Sequence, residues 1–85
     1  MDPNIASAVH RATVTGLLKT GRPYSRSEIL GAFMRACEIE RATAERLFAG
    51  FRAGVASGAT FAGIGVATQG VKRGRKYVLS GTPEG

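Results

Sequence analysis

The sequence predicts a mainly α fold with a C-terminal β-hairpin, and three observations carry that expectation. Segments with helix caps or helical apolar spacing fill the chain as far as Gly58. From Thr60 the pattern changes to two short β-like pieces, Thr60 to Thr68 and Tyr77 to Ser80. The connection between those pieces carries Lys72-Arg73-Gly74-Arg75-Lys76, four basic residues around a glycine. Eighty-five residues with 44% apolar and 21% charged content suit one domain over 1–85 with a single core of modest size. The Gly-rich middle and the tail from Gly81 are expected to have little order of their own.

The first helix is expected to start with Asp2 as N-cap and Pro3 at the first helical position, and to run without a breaker to Gly21 and Pro23. Ile5, Ala8, Val9, Ala12 and Gly16 would share one face. Val14, Leu17 and Leu18 would form a second apolar stripe, available to a partner. The second helix has the clearest local signal: Ser25 as N-cap with Glu28 three residues on makes a capping box, and Tyr24 and Ile29 are spaced as a hydrophobic staple. Its apolar side would be Ile29, Leu30, Phe33, Met34 and Cys37. Its first turn could aim amides and the Ser25 and Ser27 hydroxyls at a phosphate.

After a short link, Glu38-Ile39-Glu40, the third helix repeats Ala44, Leu47, Phe48, Phe51 and Val55 on one face. The opposite face is then Ala42, Arg46, Ala49 and Ala53, flanked by Thr43, Glu45 and Gly50: one long cation among small side chains. Gly50, Gly54 and Gly58 recur every fourth position, and each glycine inside a helix costs roughly 1 kcal/mol relative to alanine. The expected resolution is a helix that ends near Gly54 or Gly58, with Gly58 as the cap. In the hairpin, Gly63 and Gly65 weaken the first strand and imply a bulge or an edge.

Charge is concentrated rather than spread. Twelve Lys and Arg against six Asp and Glu give +6, and the hairpin tip alone supplies +4. Such a tip suits a phosphate backbone, where each cation releases a condensed counterion. Other chemistries have little support. Cys37 is the one cysteine and His10 the one histidine, which leaves no disulfide and no zinc cluster, and a reducing cytosol is the expected compartment. The start Met1-Asp2-Pro3-Asn4 lacks the features of a secretory signal. Ala53 to Val71 is uncharged, but small and polar residues dominate it, so a membrane span is not expected. With no nucleophile constellation around His10 and no Gly-rich phosphate loop of nucleotide-binding spacing, neither enzymatic activity nor a cofactor nor a small-molecule ligand is expected.

Three helices followed by a hairpin resemble the winged helix-turn-helix family over about Ile5 to Ser80. Ser25-Arg26-Ser27-Glu28-Ile29-Leu30 resembles the start of that family's second helix, and Arg41-Ala42-Thr43-Ala44-Glu45-Arg46-Leu47 the start of its recognition helix. Thr60 to Ser80, with Lys72 to Lys76 at its tip, resembles the wing. In size and charge the chain is also similar to small Kor-type repressors of broad-host-range plasmids. The Gly-rich stretch from Gly50 to Gly65 and the long wing loop depart from the pattern.

The resemblance implies a third helix in the major groove, with Arg46 bonding guanine O6 and N7 and Thr43 and the alanines meeting thymine methyls. Arg41 and the turn Ser25, Arg26, Ser27 would hold phosphates, and Lys72, Arg73, Arg75 and Lys76 would grip the backbone or minor groove. The function so implied is a cytoplasmic, nucleoid-associated repressor that binds double-stranded DNA as a homodimer and occludes a promoter. Dimerisation would use the Val14, Leu17 and Leu18 stripe or the C-terminal region. The competing reading is a winged-helix protein-interaction module, such as a phage-encoded inhibitor, that binds an acidic surface. A weaker third is single-stranded nucleic-acid binding, with Tyr77 the one aromatic beside the basic run.

Overall fold

A computed structural model describes residues 4–71 and 74–81. Three helices and a three-stranded antiparallel sheet make a mixed α/β fold. The order is α1 (Ile5–Val14), β1 (Pro23–Tyr24), α2 (Arg26–Cys37), α3 (Arg41–Ala56), β2 (Gly65–Gln69) and β3 (Lys76–Ser80). The strands lie in the order β1-β3-β2, so β3 is central and the other two are edges.

α1 is shorter than the sequence implies. Asn4 is its N-cap, with Oδ1 accepting from the Ser7 amide at 2.8 Å; Asp2 and Pro3, expected to play that part, lie outside the described residues. The helix stops at Val14 instead of running on to Gly21. Thr13, Val14 and Thr15 are β-branched and fit a helix poorly, and Gly16 at φ +79° then turns the chain in a conformation that costs glycine nothing. The consequence corrects the expected partner stripe: Leu18 is 1% exposed and belongs to the core, Leu17 packs against it, and only Val14 is well exposed, at 62%.

α2 and α3 follow their apolar patterns. Ile29, Leu30 and Phe33 of α2 are buried, with Met34 and Cys37 half-buried; Ala44, Leu47, Phe48 and Phe51 of α3 are buried, with Val55 half-buried. Glu38-Ile39-Glu40 is the connection, and Glu38 holds a left-handed conformation at φ 52°. α3 ends at Ala56 with Ser57 as C-cap, followed by Gly58 in a left-handed conformation, close to the expected end. Gly50 and Gly54 have their own reasons: the Ile5 side chain fills the space of a Cβ at Gly50, and the Phe61 ring lies 2.8 Å from that of Gly54. α1 and the segment after α3 therefore approach the α3 backbone closely.

The Gly-rich middle is ordered, contrary to expectation. Phe61 and Ile64 exchange both backbone hydrogen bonds, at 2.8 and 2.9 Å, across Ala62 and Gly63, which both have positive φ. That is a two-residue hairpin turn of the type favoured by strand twist. It plugs Phe61 and Ile64 into the core, so β2 begins at Gly65 instead of Thr60. β2 is an edge strand, as its glycines imply. β1 has no counterpart among the expected elements. It pairs Pro23 with Val78 and Tyr24 with Tyr77, and an edge position suits a proline that has no amide proton to offer.

Phe51 is the hub of the core. Its ring lies 5.1 Å from Phe61, 5.6 Å from Tyr77, 5.7 Å from Phe33 and 5.9 Å from Phe48. Tyr77 is thus a core residue, 4% exposed, and offers no platform for a stacked base. Among the described residues no helix is long and apolar enough to cross a membrane, and the uncharged run from Ala53 divides into the end of α3, the tight turn and β2.

Candidate nucleic-acid interface

The interface is assembled by the pairing of β1 with β3. Because Tyr24 lies opposite Tyr77, the next residue of each chain segment brings Ser25, the N-cap of α2, beside Lys76, the first residue of β3. Gln69 of β2 pairs with Lys76 on the other side. A two-residue strand therefore ties the start of α2 to the base of the β2–β3 hairpin. Gly21 reinforces the tie by donating its amide proton to the Leu79 carbonyl at 2.8 Å.

The capping box forms as expected. The Ser25 amide donates to Glu28 Oε1 at 3.0 Å, and the Glu28 amide donates to Ser25 Oγ at 3.3 Å. Hydrogen bonding to the carboxyl, first from the Ser25 backbone and then from its hydroxyl, holds Glu28 below the ordinary glutamate range, and the nearby Lys76 and Arg22 cations add to the effect. The first turn of α2 thus already holds a negative charge. The Ser25 oxygen is engaged as an acceptor, while Arg26 and Ser27 are exposed.

Arg26 joins α2 to α3. Its guanidinium sits over the Phe48 ring, 5.4 Å from the centroid, and Phe48 makes an edge contact with Tyr77 at 5.6 Å. Stacking on a ring limits the freedom of a long cation and leaves its edge available for a phosphate. On α3, Arg41 and Arg46 are exposed and Thr43 half-buried. Arg46 Nη2 donates to Thr43 Oγ1 at 3.4 Å, and Arg41 Nε donates to Glu45 Oε1 at 3.4 Å. The second contact is an ion pair with side chains 71% and 45% exposed, so it holds Arg41 weakly and can yield to a phosphate. Ala42, Ala49 and Ala53 are exposed around Arg46, which leaves a low surface with one long side chain.

At the hairpin tip Gly70 has φ +76°, and a Cβ there would lie 2.9 Å from the Gly74 carbonyl oxygen, so the loop closes only around glycine. Lys76 is exposed. Arg75 is half-buried, and its Nε is enclosed with no hydrogen-bond partner among the described residues. Lys72 and Arg73 lie outside the described residues. One further cation stands near the interface without having been expected there: Arg22, which covers one face of Tyr24 at 5.5 Å and acts on Glu28. Its signal in the sequence is a lone cation between Gly21 and Pro23, but only β1 gives it a place.

No protein-family model, curated protein or solved structure matches this chain.

Proposed function

We propose that the chain is a winged helix-turn-helix repressor that binds double-stranded DNA in a sequence-specific manner and blocks transcription by occupying a promoter. The juxtaposition of the α2 N-terminus, the exposed face of α3 and the base of the hairpin carries this reading. Three elements that are separate in sequence carry Arg26, Arg41, Arg46, Arg75 and Lys76, and the exposed side of α3 around Arg46 bears only small side chains, which favours close approach. α3 lies in the major groove with Arg46 on a guanine edge. Arg26, Ser27 and Arg41 hold phosphates, and Lys76, Arg75 and the tip cations Lys72 and Arg73 grip the flanking backbone. One α3 reads one half-site, so a second copy supplies the remaining affinity and makes the preferred site an inverted repeat. The surface joining the two copies is not the Val14, Leu17 and Leu18 stripe, because Leu18 is in the core.

Selection from a pool of random duplexes, followed by sequencing of the bound fraction, tests the reading. The wild-type chain is expected to enrich an inverted repeat. Arg46→Ala should lose about 1–3 kcal/mol of discrimination at one guanine per half-site while keeping its salt dependence. A variant neutral at Lys72, Arg73, Arg75 and Lys76 should bind more weakly on all sequences, with the slope of log K against log salt reduced by about 0.9 for each phosphate that it no longer neutralises. Enrichment of no sequence by the wild type would refute specific recognition.

A further inference from the structure

Three glycines lie inside helices, Gly31 in α2 and Gly50 and Gly54 in α3. A glycine there weakens the helix, so each needs a reason. Gly50 and Gly54 have one inside the chain, since Ile5 and Phe61 occupy the space a side chain would take. Gly31 does not. A Cβ built at Gly31 has nothing within 4 Å of it. The room it leaves opens onto a groove of about 440 Å³ between α2 and the connection from α1 to β1.

The groove is rimmed by cations and floored by small or apolar groups. Lys19 and Arg22 come from the connection and Arg35 from α2, all three exposed, while Leu17 is half-buried and Ala32 buried. None of the three cations has an ion-pair partner among the described residues; the one pair found there is Arg41 with Glu45. Glu28, the acid at the groove edge, is committed to the cap of α2. Tyr24 is also committed: its hydroxyl accepts from the Lys19 amide at 2.7 Å, and Arg22 covers its ring. The lining therefore offers charge and close approach, but no converging set of polar groups to orient a small molecule, and the groove is open to solvent along its length.

On α2 the groove lies away from Arg26, while Arg22 and Glu28 at its other edge border the candidate nucleic-acid interface. Gly31 and Arg35 lie roughly 140° and 180° around α2 from Arg26 at 100° per residue, and Arg26 points over Phe48 of α3. A duplex seated on α3 would leave this side of α2 free.

We propose that the groove docks an extended acidic segment of a partner protein, whose carboxylates meet Lys19, Arg22 and Arg35 while its main chain passes closely over Gly31. Opposite charge supplies the attraction, and the missing side chain at Gly31 supplies the clearance. Leu17 and Ala32 take a single apolar side chain of the segment. The proposal does not depend on DNA binding, since its contacts at Gly31 and Arg35 lie on another side of α2 from Arg26.

The test uses the full chain without DNA. A peptide of repeated Glu-Glu-Leu is titrated into isotope-labelled protein and followed by amide chemical shifts. The expected shifts cluster at Leu17, Lys19, Arg22, Gly31 and Arg35. Gly31→Ala is expected to raise the thermal midpoint, because alanine is the better helix former, yet to weaken the peptide about tenfold, or about 1.4 kcal/mol. Lys19→Ala with Arg35→Ala should abolish the groove shifts and leave the fold intact. Shifts confined to Gly70–Lys76, or peptide binding by Gly31→Ala as tight as wild type, would overturn the proposal. So would occupation of the groove by inorganic pyrophosphate with no response to the peptide, or by a second copy of the chain.

Discussion

At the scale of single residues, the same amino acid does different work at different places. Gly54 sits against the Phe61 ring, which is itself stacked on Phe51 at 5.1 Å. Gly54→Ala should therefore destabilise the chain by about 1–3 kcal/mol through overpacking, despite alanine's better helix propensity. Urea unfolding of the variant measures it, and an unchanged or raised midpoint would show that the ring gives way. The four-residue glycine spacing is visible in the sequence, but its cause is not, because Ile5 and Phe61 are distant in the chain and only the fold brings them to α3. Tyr77 shows the same gap. In the sequence it is the one aromatic beside a basic run, whereas β3 turns it inward against Phe48 and Phe51. Arg46 and Thr43, three apart on one helix, lie together as helical spacing alone requires.

At the scale of elements, local chemistry is legible in the sequence and long-range pairing is not. The capping box of α2 needs only residues three apart, and it is present with both hydrogen bonds. Removing its hydroxyl by Ser25→Ala should cost about 1 kcal/mol at neutral pH. A pH dependence accompanies it. Folding lowers the Glu28 pKa, so its contribution is complete above the unfolded-state value and is lost as pH falls through the lowered, folded-state value. Wild-type stability should thus decline in acid below the ordinary glutamate range, and Ser25→Ala should show a somewhat shallower decline because it keeps the larger, backbone hydrogen bond but lacks the hydroxyl. Urea midpoints of both proteins from neutral to acid pH check this, and parallel declines would contradict it. The end of α1 and the whole of β1 are hidden in the sequence for physical reasons. The Thr13-Val14-Thr15 run is a weak stop signal beside the absence of proline or glycine before Gly16, and a two-residue edge strand has no periodicity to detect.

At the scale of the whole molecule, one aromatic cluster holds two helices, the Phe61 turn and the sheet together. Phe51 touches the rings of Phe33 on α2, Phe61 before β2 and Tyr77 on β3. Its removal by Phe51→Ala should cost about 3–5 kcal/mol, against a total of about 4–13 kcal/mol for a domain of this size. Circular dichroism should find that variant largely or wholly unfolded at 37 °C, and a cooperative melt well above that temperature would mean the core is less centred on Phe51. The same cluster orients the two surfaces of the molecule. Phe48 and Tyr77 set α3 against β3, with Arg26 over the Phe48 ring, while Gly31, Lys19 and Arg35 line the groove beside α2. The functional reading stands or falls on whether duplex DNA binds the first of these surfaces, and amide chemical-shift mapping during titration with a duplex answers that question. Shifts are expected at Arg26, Ser27, Arg41 to Ala49 and Lys76, with Gly31 and Arg35 unmoved; shifts centred on Lys19, Gly31 and Arg35, with the α3 face silent, would contradict the reading.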